Sequence, residues 1–208
     1  MTFIKICGIT NLDDALAAVD AGADALGFNF YKPSPRYIAP ETAREIVSQL
    51  PESILTVGVF VNEPTPQSVE DMARASGVTA IQLHGDESPD YCRQVTNRYI
   101  IKALAAGSDF DSARANDYEV DAILLDTKDD ALRGGTGRVF DWSIAKHVQR
   151  TVPKLFLAGG LSLQNIEDAI MKVNPYGVDA CSALEETPGK KNHERMRAFV
   201  KAIRSVKP

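Results

Sequence analysis

The chain is poor in cysteine, in surplus positive charge and in long apolar runs, and each shortage excludes a class of protein. Its three cysteines are an odd number at wide spacing, so they make no disulfide framework and point to a reducing, cytoplasmic setting. Lysine and arginine number 23 against 28 acidic residues, for a net charge of −5. With no basic face to neutralise phosphates, nucleic acid is excluded as a partner. A small anion held by local cations or backbone N–H groups is not. No apolar run approaches the roughly 20 residues of a membrane-spanning helix. No charged segment leads into an apolar one at the N-terminus, so a secretory leader is not expected. A G-x-G-x-x-G turn after a strand is missing, and so is a G-x-x-x-x-G-K-[ST] loop. Neither a linker nor a low-complexity stretch interrupts the 208 residues, which are expected to form one domain, 1–208.

What is present is 44% hydrophobic and 25% charged, the composition of an ordinary globular protein. The organising stretch is Phe3 to Thr10, FIKICGIT. A short apolar strand ends there in Cys7 and runs into a glycine turn. Thr10 or Asn11 then caps a helix over Leu12 to Ala21. A free cysteine is usually one more small core residue. Here, however, the thiol ends a strand that feeds a helix, and ligands of α/β proteins bind at such ends.

The same alternation continues to the C-terminus. Strands are expected at Ala23–Phe30, Ile54–Val61, Val78–His84, Tyr99–Leu104, Val120–Asp126, Lys154–Ala158 and Gly177–Cys181. Helices are expected from Pro40 to about Leu50, from near Pro66 to Gly77 and at Glu87–Val95. Others follow weakly around Phe110–Asn116, then at Asp141–Gln149, from about Ser162 to Lys172 and at Lys191–Ser205. A glycine-rich loop lies at Arg133–Gly137. Eight strand–helix units of about 26 residues each predict a closed (β/α)₈ barrel. An open doubly wound sheet is the alternative.

In such a barrel the strands' C-terminal ends form the active-site mouth. Those ends are Cys7, Asn29, His84, Asp126, Gly159-Gly160 and Cys181-Ser182. Period-two parity puts Lys5 on the face of Cys7, Gln82 on that of His84 and Leu124 on that of Asp126. A thiol and a carboxyl are then the groups suited to proton transfer, although Asp126 also fits a turn former and His84 a turn or supporting residue. Gly159-Gly160 and the segment at Ser182 match the usual phosphate site of these barrels, where backbone N–H groups hold an anion. Cys7, His84 and Cys181 show no ligand-pair spacing, so no metal is expected. Lys5 and Lys102 raise the question of a Schiff-base lysine, with ion pairs to inward carboxylates as the ordinary reading.

These residues lie in blocks that resemble, nearly end to end, the phosphoribosylanthranilate isomerase family: KICGIT, GFNFYKPSPRYI, VGVFVN, IQLHGDE, LLDT, GGTGRVFDW, LAGGL and TPGKKN. The resemblance implies a (β/α)₈ barrel without a cofactor, acting on a small phosphorylated substrate as monomer or homodimer. The implied reaction is an Amadori rearrangement of an aminoaldose to an aminoketose. It implies Cys7 as general base, Asp126 as general acid and Arg36 as the group on the anthranilate carboxylate. Gly159, Gly160, Ser182 and Ala183 would hold the phosphate, and His84 would line the substrate site. Asp126 must carry a proton to donate it, and apolar neighbours would help it do so. A thiol of ordinary pKa, about 8.5, needs nearby donors to serve as the base.

One departure stands out. Where the family commonly has V-S-S-G, this chain has Ala180-Cys181-Ser182-Ala183. If the glycine position demanded positive φ, Ala183 would be strained; negative φ at Ala183 is expected instead. Three other readings stay open. One is the related histidine-pathway isomerase, whose first-strand base is typically an aspartate. The others are a Schiff-base aldolase and an inactive scaffold barrel.

Overall fold

The computed structural model describes residues 1–107, 110–126 and 142–206. Its centre is a closed parallel barrel of eight strands, and every strand falls within the expected segment or one residue beyond it. They are β1 (Phe3–Cys7), β2 (Ala25–Asn29), β3 (Leu55–Phe60), β4 (Ala80–Leu83), β5 (Tyr99–Ala105), β6 (Ala122–Asp126), β7 (Leu155–Ala158) and β8 (Gly177–Ala180). The barrel closes where β8 pairs with β1, with Phe3 opposite Gly177 and Ile6 opposite Ala180. That closure removes the open-sheet alternative.

The helices begin where local chemistry allows. In α1 (Leu12–Ala21) the Asn11 side chain accepts from the Asp14 N–H, so Asn11 and not Thr10 is the cap. Proline opens α2 (Pro40–Val47), α3 (Pro66–Ser76) and α4 (Pro89–Gln94), where its missing N–H leaves no hydrogen bond unmade. The segment expected as a weak helix is a 3₁₀ turn, Ser112–Asp117. Then come α5 (Trp142–Gln149), α6 (Ile166–Val173) and α7 (His193–Ser205). The glycine-rich loop 133–137, and Asp141, lie outside the described residues.

Strand parity splits the apolar residues into two cores. Ile4, Ile6, Leu26 and Phe28 face outward under the helices, in one cluster with Val69, Met196 and Phe199. The alternate residues Ala25, Val57, Ala80, Ile101, Leu124 and Phe156 fill the barrel itself. Lys5 also points inward, fully buried.

The segment after β8 differs from expectation. A 3₁₀ turn, Ser182–Leu184, is followed by a hairpin of β9 (Glu185–Thr187) and β10 (Lys190–Lys191), so Lys191, expected to open the last helix, is a strand residue instead. Glu185 is extended because its carboxylate is drawn to Arg36 and Lys191. Lys191 therefore ends the hairpin, and α7 starts two residues later behind the Asn192 cap. The negative-φ expectation for Ala183 is met, since it lies in the 3₁₀ turn and outside the positive-φ residues.

Candidate active site

A cavity of about 290 Å³ opens at the C-terminal ends of the strands. Cys7, Asn29, Arg36, His84, Asp126, Gly159, Gly160, Cys181 and Ser182 all line it, so parity and strand order brought the expected residues together. Ala183, in the adjoining turn, does not line it. A second hollow of about 360 Å³ shares His84 and Asp126 and extends toward Phe110 and Tyr118. A larger one, about 520 Å³, lies at the opposite end of the barrel around Thr2 and Tyr176, away from every acid–base pair described here.

Cys7 sits at the end of β1 against a glycine. A Cβ built on Gly27 would come within 2.7 Å of the Cys7 sulfur and 3.1 Å of Lys5 Nζ, so only glycine leaves room for the thiol there. The hydrogen bond from the Cys181 thiol is the largest influence on Cys7. Burial opposes it, and the Lys5 and Lys191 ammonium groups add to it. Together they hold the Cys7 thiol well below the ordinary thiol range. The donors that a catalytic thiolate needs are thus in place.

Lys5 is paired with Asp179 at 3.0 Å inside the barrel. Burial pushes the Lys5 ammonium down, but Asp179 and Cys7 outweigh it and leave its pKa above the lysine range. Burial also pushes the Asp179 carboxyl up to about 7 against the pull of Lys5. Lys102 Nζ is held by Glu87 Oε2 at 2.6 Å and by the Gly85 and Leu83 carbonyls at 2.7 and 3.2 Å, which uses all three of its donors. A Schiff-base lysine needs a depressed pKa and a free lone pair. Lys5 has the opposite shift and Lys102 is saturated, so both are ion-pair lysines.

Asp126 corrects one expectation. Its neighbour is polar: Oδ2 lies 3.2 Å from His84 Nε2, and the carboxyl is about a quarter exposed at 23%. The Gln82 amide meets the other ring nitrogen, Nδ1, at 2.7 Å. With both ring nitrogens engaged, His84 acts as a fixed support that orients the carboxyl.

Arg36 has a partner that the sequence did not show. Its Nε and Nη2 form a fork on Glu185, at 2.7 to 3.1 Å, so the guanidinium is already held on one edge. Burial pushes the Glu185 carboxyl up, and the bonds from Arg36 and Lys191 overcome that and hold it low. Nη1 has no partner among the described residues, and Arg36 lines the cavity. The loop arginine is thus pre-oriented by an anion of the protein, with one edge left for another.

The anion end of the cavity is built from backbone. Gly159 and Gly160 have φ of +81° and +62°, which turns successive N–H groups to one side. Facing them is the 3₁₀ turn at Ser182, whose first amides have no intrahelical acceptor. Because Ala183 is unstrained there, Ala183→Gly is expected to change KM by less than about threefold and leave kcat unchanged. A fall in KM of about tenfold in steady-state kinetics would mean a strained anion site.

Sequence reasoning passed over Asp179, Glu185 and Lys191. Asp179 had a signal, since it stands two residues before Cys181 on the inward face of β8. The other two lie on a hairpin that no periodicity marked.

The fold and this cavity are those of a TIM-barrel enzyme with a thiol, a carboxyl and an arginine at one mouth. Residues 4–202 match the family model for N-(5'-phosphoribosyl)anthranilate isomerase. The isomerase of Desulforudis audaxviator is 49% identical over 208 residues, covering 99% of this chain and all of that one. The crystal structure of the Thermotoga maritima enzyme superimposes with a TM-score of 0.91 at 44% identity, over 98% of this chain and 99% of that one. A crystal structure of a family enzyme in complex with reduced 1-(o-carboxyphenylamino)-1-deoxyribulose 5-phosphate superimposes at 0.89, with 42% identity and the same coverage. The chain belongs to the N-(5'-phosphoribosyl)anthranilate isomerase family.

Proposed function

We propose that Cys7 is the general base and Asp126 the general acid of this family's aldose–ketose isomerisation. The chain is an isomerase of tryptophan biosynthesis, converting N-(5-phosphoribosyl)anthranilate to 1-(2-carboxyphenylamino)-1-deoxyribulose 5-phosphate. The observation that carries the assignment is the sharing of one cavity by the cation-flanked thiol of β1 and the His84-oriented carboxyl of β6.

The substrate's phosphate occupies the Gly159, Gly160, Ser182 and Ala183 backbone, as the family resemblance implies. The sugar then spans the mouth, and the anthranilate carboxylate meets the free edge of Arg36. His84 donates to Oδ2 of Asp126, so the carboxyl's proton rides on the other oxygen. That proton passes to the furanose ring oxygen as the C1′–O bond breaks, and the anilino nitrogen lone pair forms the C=N bond of an open Schiff base. The Cys7 thiolate removes the C2′ proton, giving an enolamine. Protonation of the enolamine at C1′ and loss of the proton from the C2′ hydroxyl yield the ketone. Lys5, at the buried end, never touches the sugar and only balances the thiolate charge.

Arg36→Met is expected to raise KM by roughly tenfold or more and leave kcat near native. The carboxylate it meets stays charged throughout, so ground and transition states lose the same interaction. Steady-state kinetics with unchanged KM would show that Arg36 serves Glu185 alone.

A cytoplasmic location fits the reduced cysteines. Among the described residues no helix is long and apolar enough to cross a membrane. A solved relative is described as monomers made from a dimeric enzyme, so either state is open to this chain. The direct test is loss of phosphoribosylanthranilate fluorescence on adding purified protein without metal or nucleotide. No loss at micromolar enzyme would overturn the functional reading.

A further inference from the structure

We infer that Glu185 is a positioning residue for Arg36 and, through it, sets the preference for a substrate that carries a carboxylate. The inference rests on the reading of Arg36 as the group that meets the anthranilate carboxylate.

An arginine on a loop points where its neighbours hold it, because its long stem has many rotamers. The loop is fixed at its base. Asn29, ending β2, donates from Nδ2 to Ser34 Oγ at 3.2 Å, and the same oxygen accepts the Arg36 N–H at 3.2 Å. The stem then crosses the turn after β1. A Cβ on Gly8 would come within 2.8 Å of Arg36 Cδ, so the missing side chain there is the room the stem uses.

The tip is set by Glu185. Arg36 Nε and Nη2 donate to its two oxygens at 2.8 and 2.7 Å, a fork that fixes the plane of the guanidinium as well as its place. Of the two partners Glu185 is the anchored one, with its side chain 4% exposed against 23% for Arg36. Its Oε1 also takes Lys191 Nζ at 3.0 Å and the Gly189 N–H at 3.3 Å, and its backbone carbonyl takes Arg195 Nη1 at 2.7 Å. The hairpin that carries it is tied to the start of α1 in turn. Thr10 Oγ1 donates to the Gly189 carbonyl, and the Lys191 N–H donates to Asp14 Oδ2 at 2.8 Å. Glu185 is not among the residues that line the cavity, whereas Arg36 is, so Glu185 acts through the arginine.

With the Nε–Nη2 edge taken, the guanidinium presents Nη1 and the second hydrogen of Nη2. That edge is itself a fork that fits one more carboxylate. Arg36 and Lys191 against Glu185 leave one surplus positive charge for it. Glu185 has two effects of opposite sign. Its charge repels an incoming carboxylate, and its hold on Arg36 favours one. Lys191, bonded to the same carboxylate and fully buried, offsets the repulsion, so the hold prevails.

The test is discrimination between N-(5-phosphoribosyl)anthranilate and N-(5-phosphoribosyl)aniline, which lacks only the carboxylate. The ratio of their kcat/KM values cancels damage to the base, the acid or the phosphate site, which both substrates feel alike. Arg36→Met is expected to lower that ratio by about tenfold or more. Glu185→Gln leaves an oxygen for Lys191 but breaks the fork, and is expected to lower the ratio about fivefold. In the Arg36→Met background the same change is expected to move it less than about twofold. Circular dichroism checks the fold. Should Glu185→Gln fail to fold, Glu185→Asp takes its place under the same expectation: it keeps an anion for Lys191 but is one methylene short of the arginine. A ratio that stays native or rises overturns the inference, a rise being what loss of a bare negative charge produces. A fivefold fall in the Arg36→Met background also overturns it, since Glu185 would then act by another route. If Arg36→Met leaves the ratio unmoved, the reading of Arg36 falls and this inference with it.

Discussion

Cys7→Ala is expected to fold as the native chain does and to lose about 10²-fold or more in kcat. The alanine still ends β1 and still fits against Gly27, so neither the barrel nor the outward-facing core is disturbed. What disappears is the thiol proposed to take the C2′ proton, the one its neighbours hold well below the ordinary thiol range. A base works in its deprotonated form, so activity rises as pH climbs through its pKa. With the native thiol held low by Cys181, Lys5 and Lys191, the rise in kcat/KM is expected to be complete below the ordinary thiol value of about 8.5. Circular dichroism checks the fold and single-turnover kinetics check the step. A Cys7→Ala enzyme with near-native kcat would remove the thiol from the mechanism.

Asp126→Asn is expected to be equally severe, with kcat down about 10²-fold or more and binding retained. The amide keeps the size of the carboxyl and can still meet His84 Nε2, so the end of β6 stays in place. It cannot give up a proton to the ring oxygen, and ring opening is the step that fails. Affinity for the reduced product analogue that a solved relative binds is the separating measurement. That molecule is already open, so it makes no demand on the acid. If Asp126→Asn weakened its binding in proportion to the loss of kcat, Asp126 would be a binding group and the acid would have to be sought elsewhere.

The barrel was legible because each of its units announces itself locally. FIKIC, ILTVGVFV and VDAILLD are strands by their apolar runs, and Pro40, Pro66 and Asn11 mark where helices begin. Strand ends and parity were then enough to bring Cys7, His84, Asp126 and Gly159 to one cavity. The ionic supports were not legible in the same way. Lys5 meets Asp179 across 174 residues and Arg36 meets Glu185 across 149. Such partners are chosen by the closing of the barrel and leave no periodic trace. Glu87 shows the same limit: expected at the start of a helix, it lies before α4 and is buried against Lys102. The polar setting of Asp126 could have been read, since Gln82 and His84 share a face and His84 ends the strand two before β6.

The seam between β1 and β8 joins the first and last strands of the barrel, and this bears on the order in which the chain becomes chemically active. Cys7 leaves the ribosome roughly 170 to 185 residues before Asp179, Cys181 and Lys191. Until the eighth strand docks, the thiol has no cation from the hairpin, no neighbouring S–H and no paired Lys5 beneath it. A nascent chain with seven strands in place is expected to carry a cysteine of ordinary pKa, less reactive toward passing electrophiles than the one in the closed barrel. On that expectation completion of the ring raises the thiolate fraction of Cys7, and its full nucleophilicity develops inside a closed site.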